Sequence, residues 1–323
     1  MKPTTTAGRR LADGAKPVTT LEITVLAGGP SAEREVSLQS GEMVGKALSS
    51  LGHHVHVVDV SPEDLSALDI PADVVFIALH GSFGEDGAVQ RLLESRGLAY
   101  TGSGPDASAL AMDKVNAKAR FIECGIPTPR FDLVHKDGIQ RALRSFCLPA
   151  VVKPRDSGSS VDTFIVRDRE SMESAITHVV KSHGAALVEE FVDGPEWTVG
   201  VLGDAALPIC EIRTKREFYD YQAKYVDDDT EYVFDIDWPS EVLARVKDLS
   251  ADAHRCLGCR DFSRVDWMID RATGEPYIIE VNTIPGFTSH SLLPKAARRA
   301  GWSYESLCQT IVEFALQRGG ARS

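Results

Sequence analysis

The sequence of 323 residues is long enough to form two or three domains, and its 43% hydrophobic and 25% charged residues are typical of a globular protein. Its formal charge of −12 argues against nucleic acid or an anionic membrane as the main partner. No stretch has the apolar length of a membrane span, and residues 1–20 lack the apolar core of a signal peptide. We therefore expect a cytoplasmic location and reduced cysteines. Residues 1–20 are expected to be a disordered tail, or to reflect a late choice of start codon.

The part of the chain from Leu21 to about residue 103 alternates between strand and helix patterns. Strands are predicted at LEITVLAGG, HHVHVVDV and DVVFIALHG. Helices are predicted from Ser31, as the N-cap, to about Ser50, and in GEDGAVQRLLESRG. Strand–helix–strand order at this spacing predicts an α/β fold with a doubly wound parallel sheet.

Gly28, Gly29 and His80 fall at the carboxyl ends of these predicted strands, beyond which ligands bind in such folds. His80 ends an apolar strand and precedes Gly81, so we interpret it as a site residue. Glu33 lies in the predicted first turn of a helix, where an acidic residue could equally serve only to offset the helix dipole.

A second region begins near TGSGPDAS (Thr101–Ser108), whose small residues interrupt the periodicity. A helix follows in ALAMDKVNAKARFIECG, and LPAVVKPRDSGSSVDTFIV reads as strand, loop and strand. Lys153 ends the first of these strands, and the loop from Arg155 to Ser160 offers successive backbone N–H groups that could cradle a phosphate. An ordinary surface hairpin remains an alternative, and the spacing is not that of a Walker loop.

The next region carries acidic strands and a long irregular segment. After a helix at about Asp168–Ser182, AALVEEFVDGPEWTVGVL predicts two strands with Glu189, Glu190 and Glu196 on or beside them. These acids could be solvated, or could hold a ribose or an adenine amine. The segment 214–234 contains four tyrosines without helical periodicity, which is typical of a lid or binding loop.

The stretch RVDWMIDRATGEPYIIEVN predicts a β-hairpin with its turn centred on Thr273. That register places Asp266 opposite Glu280, with Arg264 and Asn282 on the same face. Facing carboxylates need a counter-charge, which a Mg²⁺ ion could supply; a solvated polar face is the alternative. The apolar residues between them favour a buried hairpin, where unpaired carboxylates are costly.

Helices are predicted at about Glu241–Leu257, His290–Ala300 and Tyr304–Leu316. Cys256 and Cys259 form a C-x-x-C pattern at a helix end. No second pair follows at zinc spacing, so we interpret them as packing residues rather than a metal or redox site.

Taken in order, the motifs resemble the D-alanine–D-alanine ligases of the ATP-grasp superfamily from Leu21 to about Leu316. The motifs are AGGPSAEREVSL, ALHGSFGEDGAVQ, YTGSGPDASALAMDK, VVKPRDSGSSV, GPEWTV, FYDYQAKY, RVDWMI and EVNTIPGFTSHSLLP. The resemblance implies an N-terminal domain at residues 21–103, a central ATP-grasp subdomain at 104–190 and a C-terminal one at 191–323. It also implies a homodimer.

The implied reaction joins two D-alanines at the expense of ATP, through an acyl phosphate, for peptidoglycan synthesis. An alternative is a related ligase whose second substrate is D-lactate or D-serine; Tyr225 favours the dipeptide, because depsipeptide ligases typically carry histidine there. A scaffold that has lost catalysis is a further alternative, which the retained polar set disfavours.

The resemblance assigns roles by position. The residues that match ATP contacts are Lys114, Lys153, Ser157, Ser159, Ser160, Glu189, Phe191, Val192, Glu196 and Lys224. The residues that match ligands of two Mg²⁺ ions, which Mn²⁺ could replace, are Asp266, Glu280 and Asn282. The residues that match substrate contacts are Glu33, His80, Arg264, Gly286, Ser291 and Leu292. The catalytic group comprises Arg264 and a hydrogen-bonded triad of Glu33, Ser159 and Tyr225.

Two positions depart from the family pattern. Some members have lysine where this chain has Glu190, which affects the expected adenine contact. Others have glycine where Asp162 follows Val161, which affects the mobility of the phosphate loop or its affinity for nucleotide.

Overall fold

A computed structural model of the protein describes residues 19–215 and 230–320. The strands in this part of the chain are β1 (Glu22–Ala27), β2 (His54–Asp59), β3 (Val74–Ile77), β4 (Phe131–Val134), β5 (Ala150–Pro154), β6 (Phe164–Val166), β7 (Ala186–Glu190), β8 (Glu196–Leu202), β9 (Ala205–Ala206), β10 (Cys210–Arg213), β11 (Glu231–Val233), β12 (Phe262–Ile269) and β13 (Pro276–Asn282). The helices are α1 (Arg34–Ser50), α2 (Ala88–Ser95), α3 (Pro105–Met112), α4 (Lys114–Glu123), α5 (Ile139–Ser145), α6 (Arg169–His183), α7 (Ser240–Cys256), α8 (Leu292–Arg299) and α9 (Tyr304–Gly320).

The first sheet is parallel with strand order β2-β1-β3, as the alternating pattern predicted. Its inward side chains, such as Ile23 and Phe76, are fully buried in one cluster with Leu48 of α1 and Ile311 of α9. The C-terminal helix therefore packs against the sheet formed by the beginning of the chain. No helix in the described residues is long and apolar enough to cross a membrane.

Two details at the edge of this sheet differ from the prediction. Helix α1 begins at Arg34 with Glu33 in the N-cap position, so Glu33 is not inside the first turn. Ser31 does not cap the helix; its hydroxyl donates to the carbonyl of His80 at 2.6 Å and accepts from the Glu33 N–H. His80 itself lies three residues beyond the end of β3, because the strand stops where the chain turns toward the site.

The second sheet is antiparallel with order β4-β7-β5-β6 and is covered by α5 and α6. The single helix predicted before it is two helices, α3 and α4, which meet at Asp113. Asp113 is extended (ψ 94°), and its carboxylate accepts from the N–H groups of Val115 and Asn116 at 3.2 Å each. An aspartate in this conformation ends one helix and caps the next.

The third sheet has the order β11-β10-β8-β12-β13, with the short β9 beside β8. The β12–β13 hairpin pairs Asp266 with Glu280 and Arg264 with Asn282, which confirms the predicted register. A bulge after Asp266 shifts the rest of the hairpin, so that Trp267 pairs with Ile278. Trp197 and Trp267 are fully buried in the core beneath α7.

The expectation that all cysteines are reduced is wrong in the structure: Cys124 at the end of α4 forms a disulfide with Cys256 at the end of α7. The two cysteines are 132 residues apart in sequence and become neighbours only because α4 packs beside α7. Cys259, the other member of the C-x-x-C pattern, is free. Cys256 therefore forms a covalent link, and both Cys256 and Cys259 also pack against the core beneath α7, as predicted.

Candidate active site

Two cavities share the face of the β12–β13 hairpin. The larger, of about 680 Å³, lies between the second and third sheets. The smaller, of about 60 Å³, lies where the beginning of α1 and the phosphate loop (Arg155–Thr163) approach the hairpin. Lys114 and Glu280 line both cavities. The two cavities are therefore adjacent, and molecules bound in them would both contact these two side chains.

The hairpin face brings together the carboxylates and the arginine that the sequence placed there. Arg264 donates to both oxygens of Asp266, from Nε at 2.9 Å and from Nη2 at 2.6 Å. The hydroxyl of Thr198, on the neighbouring strand β8, donates to Asp266 Oδ1 at 2.6 Å. Asp266 is 7% exposed, so these bonds replace the water that a buried carboxylate loses. Thr198 is a contributor that the sequence reasoning missed, because only the pairing of β8 with β12 places it there.

The donor set on this face fits a hard divalent cation. Asp266 Oδ2 accepts one hydrogen bond, from Arg264, and keeps a lone pair, and the Glu280 carboxylate borders both cavities. The Asn282 amide oxygen accepts from the Ile284 N–H at 2.9 Å and keeps its second lone pair. In the described residues, no group of three or more His, Cys, Asp and Glu side chains is arranged to hold a metal ion. A cation here would therefore need the Asn282 amide and oxygen ligands from a bound molecule, which suits Mg²⁺ with phosphate.

Lys114 stands between the hairpin and the phosphate loop at the first position of α4. Its Nζ donates to the carbonyl of Ser157 at 2.7 Å and lies 3.4 Å from Glu280 Oε2. Its backbone N–H donates to the carbonyl of Arg155 at 3.0 Å. The side chain is 10% exposed, so its charge is held close to both cavities.

A buried ion-pair cluster forms the wall of the larger cavity. Glu189 lies between Lys118 and Lys153, with one carboxylate oxygen 2.7 Å from each Nζ. Burial would raise the pKa of Glu189, but the two lysines outweigh it and lower that pKa. Burial lowers the pKa of Lys118 to about 8. Lys118 was not predicted from the sequence, because a lysine within a helix usually faces solvent. Only the packing of β7 beside α4 pairs it with Glu189.

The phosphate loop bends over the smaller cavity. Ser159 and Ser160 both have left-handed backbones, with φ of 51° and 57°, and turns of this kind can bring successive N–H groups together as an anion site. The Ser159 hydroxyl donates to Glu33 Oε1 in a short hydrogen bond. A Cβ added at Gly158 would lie 3.2 Å from Glu33 Oε2, so glycine permits this approach. Glu33 and Ser159, predicted as two members of one triad, are in contact.

His80 is 4% exposed and is fixed by the residues around it. Its Nε2 is 3.2 Å from Ser40 Oγ, and its Nδ1 is 3.0 Å from the carbonyl of Ile284, two residues after Asn282. Glu85 lies 3.6 Å from the same ring and lines the smaller cavity. Burial raises the pKa of Glu85. The sequence reasoning missed Glu85; its only signal was an acidic residue five positions after His80 in a glycine-rich loop.

The segment after the hairpin places Gly286 and Ser291 together. Phe287 is buried with its ring edge-on to Phe76 and to Phe262, which fixes the backbone beside it. A Cβ at Gly286 would come within 2.6 Å of Ser291 Oγ, and Ser291 Oγ accepts from the Thr288 N–H at 2.9 Å.

Four of the predicted site residues stand apart from the cavity linings. His80, Gly286, Ser291 and Leu292 are absent from the linings described above. Leu292 packs into a small apolar cluster. The structure therefore does not bring these four residues directly onto either cavity surface.

The remaining nucleotide candidates do line the larger cavity. They are Lys153, Ser157, Ser160, Glu189, Phe191, Val192 and Glu196. Glu190 also lines it, with its carboxylate accepting from Arg130 Nε at 2.7 Å, so the departure from the family pattern is balanced by an arginine. Lys224 and Tyr225 lie outside the described residues.

Comparison with known proteins agrees with this arrangement. The family model described as D-ala D-ala ligase N-terminus matches residues 57–103, and the model described as D-ala D-ala ligase C-terminus matches residues 121–313. The chain is 44% identical to a D-alanine–D-alanine ligase of Moorella thermoacetica over 92% of this chain and 100% of the relative. It is also 44% identical to D-alanine–D-alanine ligase B of Chromobacterium violaceum over 90% and 97%.

The fold is also similar to a solved structure. The crystal structure of a D-alanine–D-alanine ligase from Bacillus anthracis complexed with ATP matches with a TM-score of 0.80 and 32% identity, over 94% of this chain and 100% of that chain. This likeness confirms the ATP-grasp architecture that the motifs implied. The chain therefore belongs to the D-alanine–D-alanine ligase family.

Proposed function

We propose that the protein joins two D-alanines to D-alanyl-D-alanine, converting ATP to ADP and phosphate, for peptidoglycan synthesis. The observation that carries the proposal is the pair of cavities that share Lys114 and Glu280. Their sizes suit a nucleotide and a small amino acid. One D-alanine carboxylate attacks the γ-phosphate to give an acyl phosphate, and the amine of the second D-alanine then displaces phosphate.

ATP occupies the larger cavity in this proposal. Lys114, Lys153 and Lys224, the last of which lies outside the described residues, neutralise its phosphates. Ser157, Ser159 and Ser160 of the phosphate loop offer N–H groups to them. Phe191 and Val192 flank the adenine, Glu189 faces it, and Glu196 holds the ribose. Glu189 is already oriented by Lys118 and Lys153, which reduces the reorganisation needed when the nucleotide binds.

Asp266, Glu280 and Asn282 are proposed to hold the Mg²⁺ ions that accompany ATP. When bound, such ions neutralise negative charge on the β- and γ-phosphates. Lys114 and Arg264 already contribute two positive charges beside the two carboxylates. The chain thus keeps this face near neutrality, and its carboxylate and amide oxygens would be the ligands of the ions.

The D-alanines occupy the smaller cavity and the space beside it. Glu33 binds the first ammonium group, and His80 lies toward the first carboxylate. Arg264 and the backbone at Gly286 stabilise the oxyanion of the tetrahedral intermediate, and Ser291 and Leu292 hold the second carboxylate. The contact between Ser159 and Glu33 couples the phosphate loop to the amino-acid site.

Further parts of the proposal follow from the family. Tyr225 completes the triad with Glu33 and Ser159, in a lid that excludes water from the acyl phosphate. The proposed domains span residues 21–103, 104–190 and 191–323. The protein works as a homodimer in the cytoplasm.

The test is to measure phosphate release with Mg-ATP and D-alanine, and to identify the product by mass. We expect release that depends on D-alanine and yields the dipeptide, with L-alanine inactive. D-Lactate and D-serine, each offered together with D-alanine, check the second substrate. Dipeptide as the minor product, or no release with any amino acid, would contradict the proposal.

A further inference from the structure

The phosphate loop has a second attachment, at its C-terminal end. Asp162 lies at the end of the loop with a left-handed backbone, φ 52°. One of its carboxylate oxygens is 2.7 Å from His183 Nε2, and the other is 3.0 Å from His178 Nε2. Both histidines belong to α6, so one carboxylate connects the loop to the helix by two hydrogen bonds.

The chemistry of these contacts suits a structural anchor. Each carboxylate oxygen accepts one hydrogen bond, and each imidazole donates one from Nε2. The two hydrogen bonds therefore do not compete for the same atom. Hydrogen bonds from His183 and His178 lower the pKa of Asp162, so it stays ionised at neutral pH. The His178 ring is also held edge-on against Phe164 of β6, with ring centroids 5.7 Å apart.

Two other contacts hold the loop on the N-terminal side of Asp162. The Ser157 carbonyl is held by Lys114, and the Ser159 hydroxyl is held by Glu33. Asp162 is three residues beyond Ser159, and of the two residues between them Val161 is 45% exposed. The loop is therefore fixed at both ends, with the N–H groups of residues 158–161 between the two attachments.

We propose that Asp162, through His178 and His183, is a positioning residue that holds the phosphate loop in the geometry that receives the phosphates of ATP. This inference rests on the proposed function, since it concerns the nucleotide of that reaction. Aspartate tolerates a left-handed backbone better than most residues, so the position can carry a side chain where others have glycine. The side chain adds an attachment that glycine cannot make.

Two variants remove the anchor from opposite sides. Asp162→Gly removes the carboxylate without straining the backbone. His178→Ala combined with His183→Ala removes both donors and leaves the loop sequence intact. Asp162→Asn keeps one acceptor and should be intermediate. Lys181→Ala, an exposed residue of the same helix, is the matched control.

We expect amide hydrogen exchange in residues 157–163 to become about tenfold faster in both anchor variants, since a tethered loop opens less often. The KM for ATP should rise about fivefold, with kcat and the KM for D-alanine changed less than twofold. The triple variant, Asp162→Gly with His178→Ala and His183→Ala, should have the same exchange rate and the same KM for ATP as either anchor variant, because each of those variants already removes the same contacts. The Lys181 control should match the wild type.

The outcomes separate this inference from the proposed function. Mg-ATP should slow amide exchange in the loop, and this measurement needs no D-alanine. It therefore tests the anchor even if the protein has no ligase activity. Unchanged exchange in both anchor variants would overturn the inference. Faster exchange with unchanged ATP affinity would also overturn it, because the anchor would then be structural only. Additive effects of the two sets would show that Asp162 and the histidines act separately.

Discussion

Single charged side chains in this protein are held by neighbours that lie far away in sequence. Glu189 is 2% exposed and would be costly as a lone carboxylate, yet Lys118 and Lys153 pair with its two oxygens. Glu280 is more exposed and has Lys114 beside it. The Glu189 carboxylate is fixed by burial between two lysines, whereas the Glu280 side chain is 28% exposed and borders both cavities.

At the residue scale, Glu280→Gln should leave the fold intact and lower kcat at least a hundredfold, because the amide removes an anionic ligand from the proposed magnesium face. The measurement is phosphate release under saturating Mg-ATP and D-alanine, with a thermal melt to check folding. Glu275→Gln, in the turn of the same hairpin, is the matched control and should retain activity. Wild-type rates in Glu280→Gln would contradict the metal assignment.

A second residue-scale prediction concerns His254, which is 2% exposed and has Nδ1 2.7 Å from Ser263 Oγ. Burial lowers the pKa of His254 to about 4. An unfolded histidine gains its proton near pH 6.5, so the unfolded chain binds more protons between pH 6.5 and 4. The contribution to stability is fully present above pH 6.5 and falls by up to about 3 kcal/mol as the pH drops to 4.

Urea unfolding at pH 7.5, 6 and 5 checks this prediction. The free energy of unfolding should fall less steeply with pH in His254→Gln than in the wild type, because glutamine does not titrate. His135→Gln, at an exposed site, should leave the slope unchanged. Parallel pH profiles for His254→Gln and the wild type would show that His254 titrates equally in both states.

At the scale of the elements, the start of α4 connects helix capping to the site. Asp113 caps the helix and also accepts from Arg155 Nε at 2.8 Å. The next residue, Lys114, donates its N–H to the Arg155 carbonyl. One aspartate thus fixes the helix end, the beginning of the phosphate loop and the position of the lysine that both cavities share.

Asp113→Ala should lower the free energy of unfolding by about 1–2 kcal/mol through loss of the cap. It should also raise the KM for ATP several-fold, since Lys114 and the loop lose their common support. Asp113→Asn keeps the capping acceptor and should recover most of the stability, though less of the ATP affinity. Urea melts and steady-state kinetics measure both quantities. Equal stability of the alanine variant and the wild type would contradict the capping role.

At the scale of the whole molecule, a charged cluster joins distant parts of the chain. Asp261 accepts from the Gly102 N–H at 2.8 Å and forms an ion pair with Arg318 of α9. Arg318 also donates to the carbonyl of Tyr100 at 2.8 Å. The end of the first region, the start of β12 and the C-terminal helix therefore meet at one point, which holds the hairpin face against the first sheet.

Arg318→Ala should lower the free energy of unfolding by about 2 kcal/mol, because it removes the ion-pair partner of the buried Asp261 carboxylate and leaves only the neighbouring Arg260 to offset its charge. Burial already raises the pKa of Asp261, which shows that its charge is poorly solvated. Adding Asp261→Asn should recover part of the loss, since the uncompensated charge disappears. Arg298→Ala, on the exposed face of α8, is the control. Additive losses in the double variant would contradict this coupling.

The sequence by itself determined the features that depend on local pattern. Alternation and turn residues predicted the first parallel sheet, the hairpin and the pairing of Asp266 with Glu280, because side-chain direction in a strand follows from position alone. The ordered motifs indicated the family, and with it the lysines and loop serines that line the cavities. The helical periodicity did not predict the break between α3 and α4, because an aspartate that caps a helix looks like an ordinary helical residue in the sequence.

Only the tertiary structure decided the contacts between distant elements. The pairing of Lys118 with Glu189, the hydrogen bond from Thr198 to Asp266 and the disulfide between Cys124 and Cys256 each join separate elements. The anchor of Asp162 on α6 also has no local signal. Such contacts depend on how sheets and helices pack, and packing brings together residues whose separation in sequence carries no information about their distance in space.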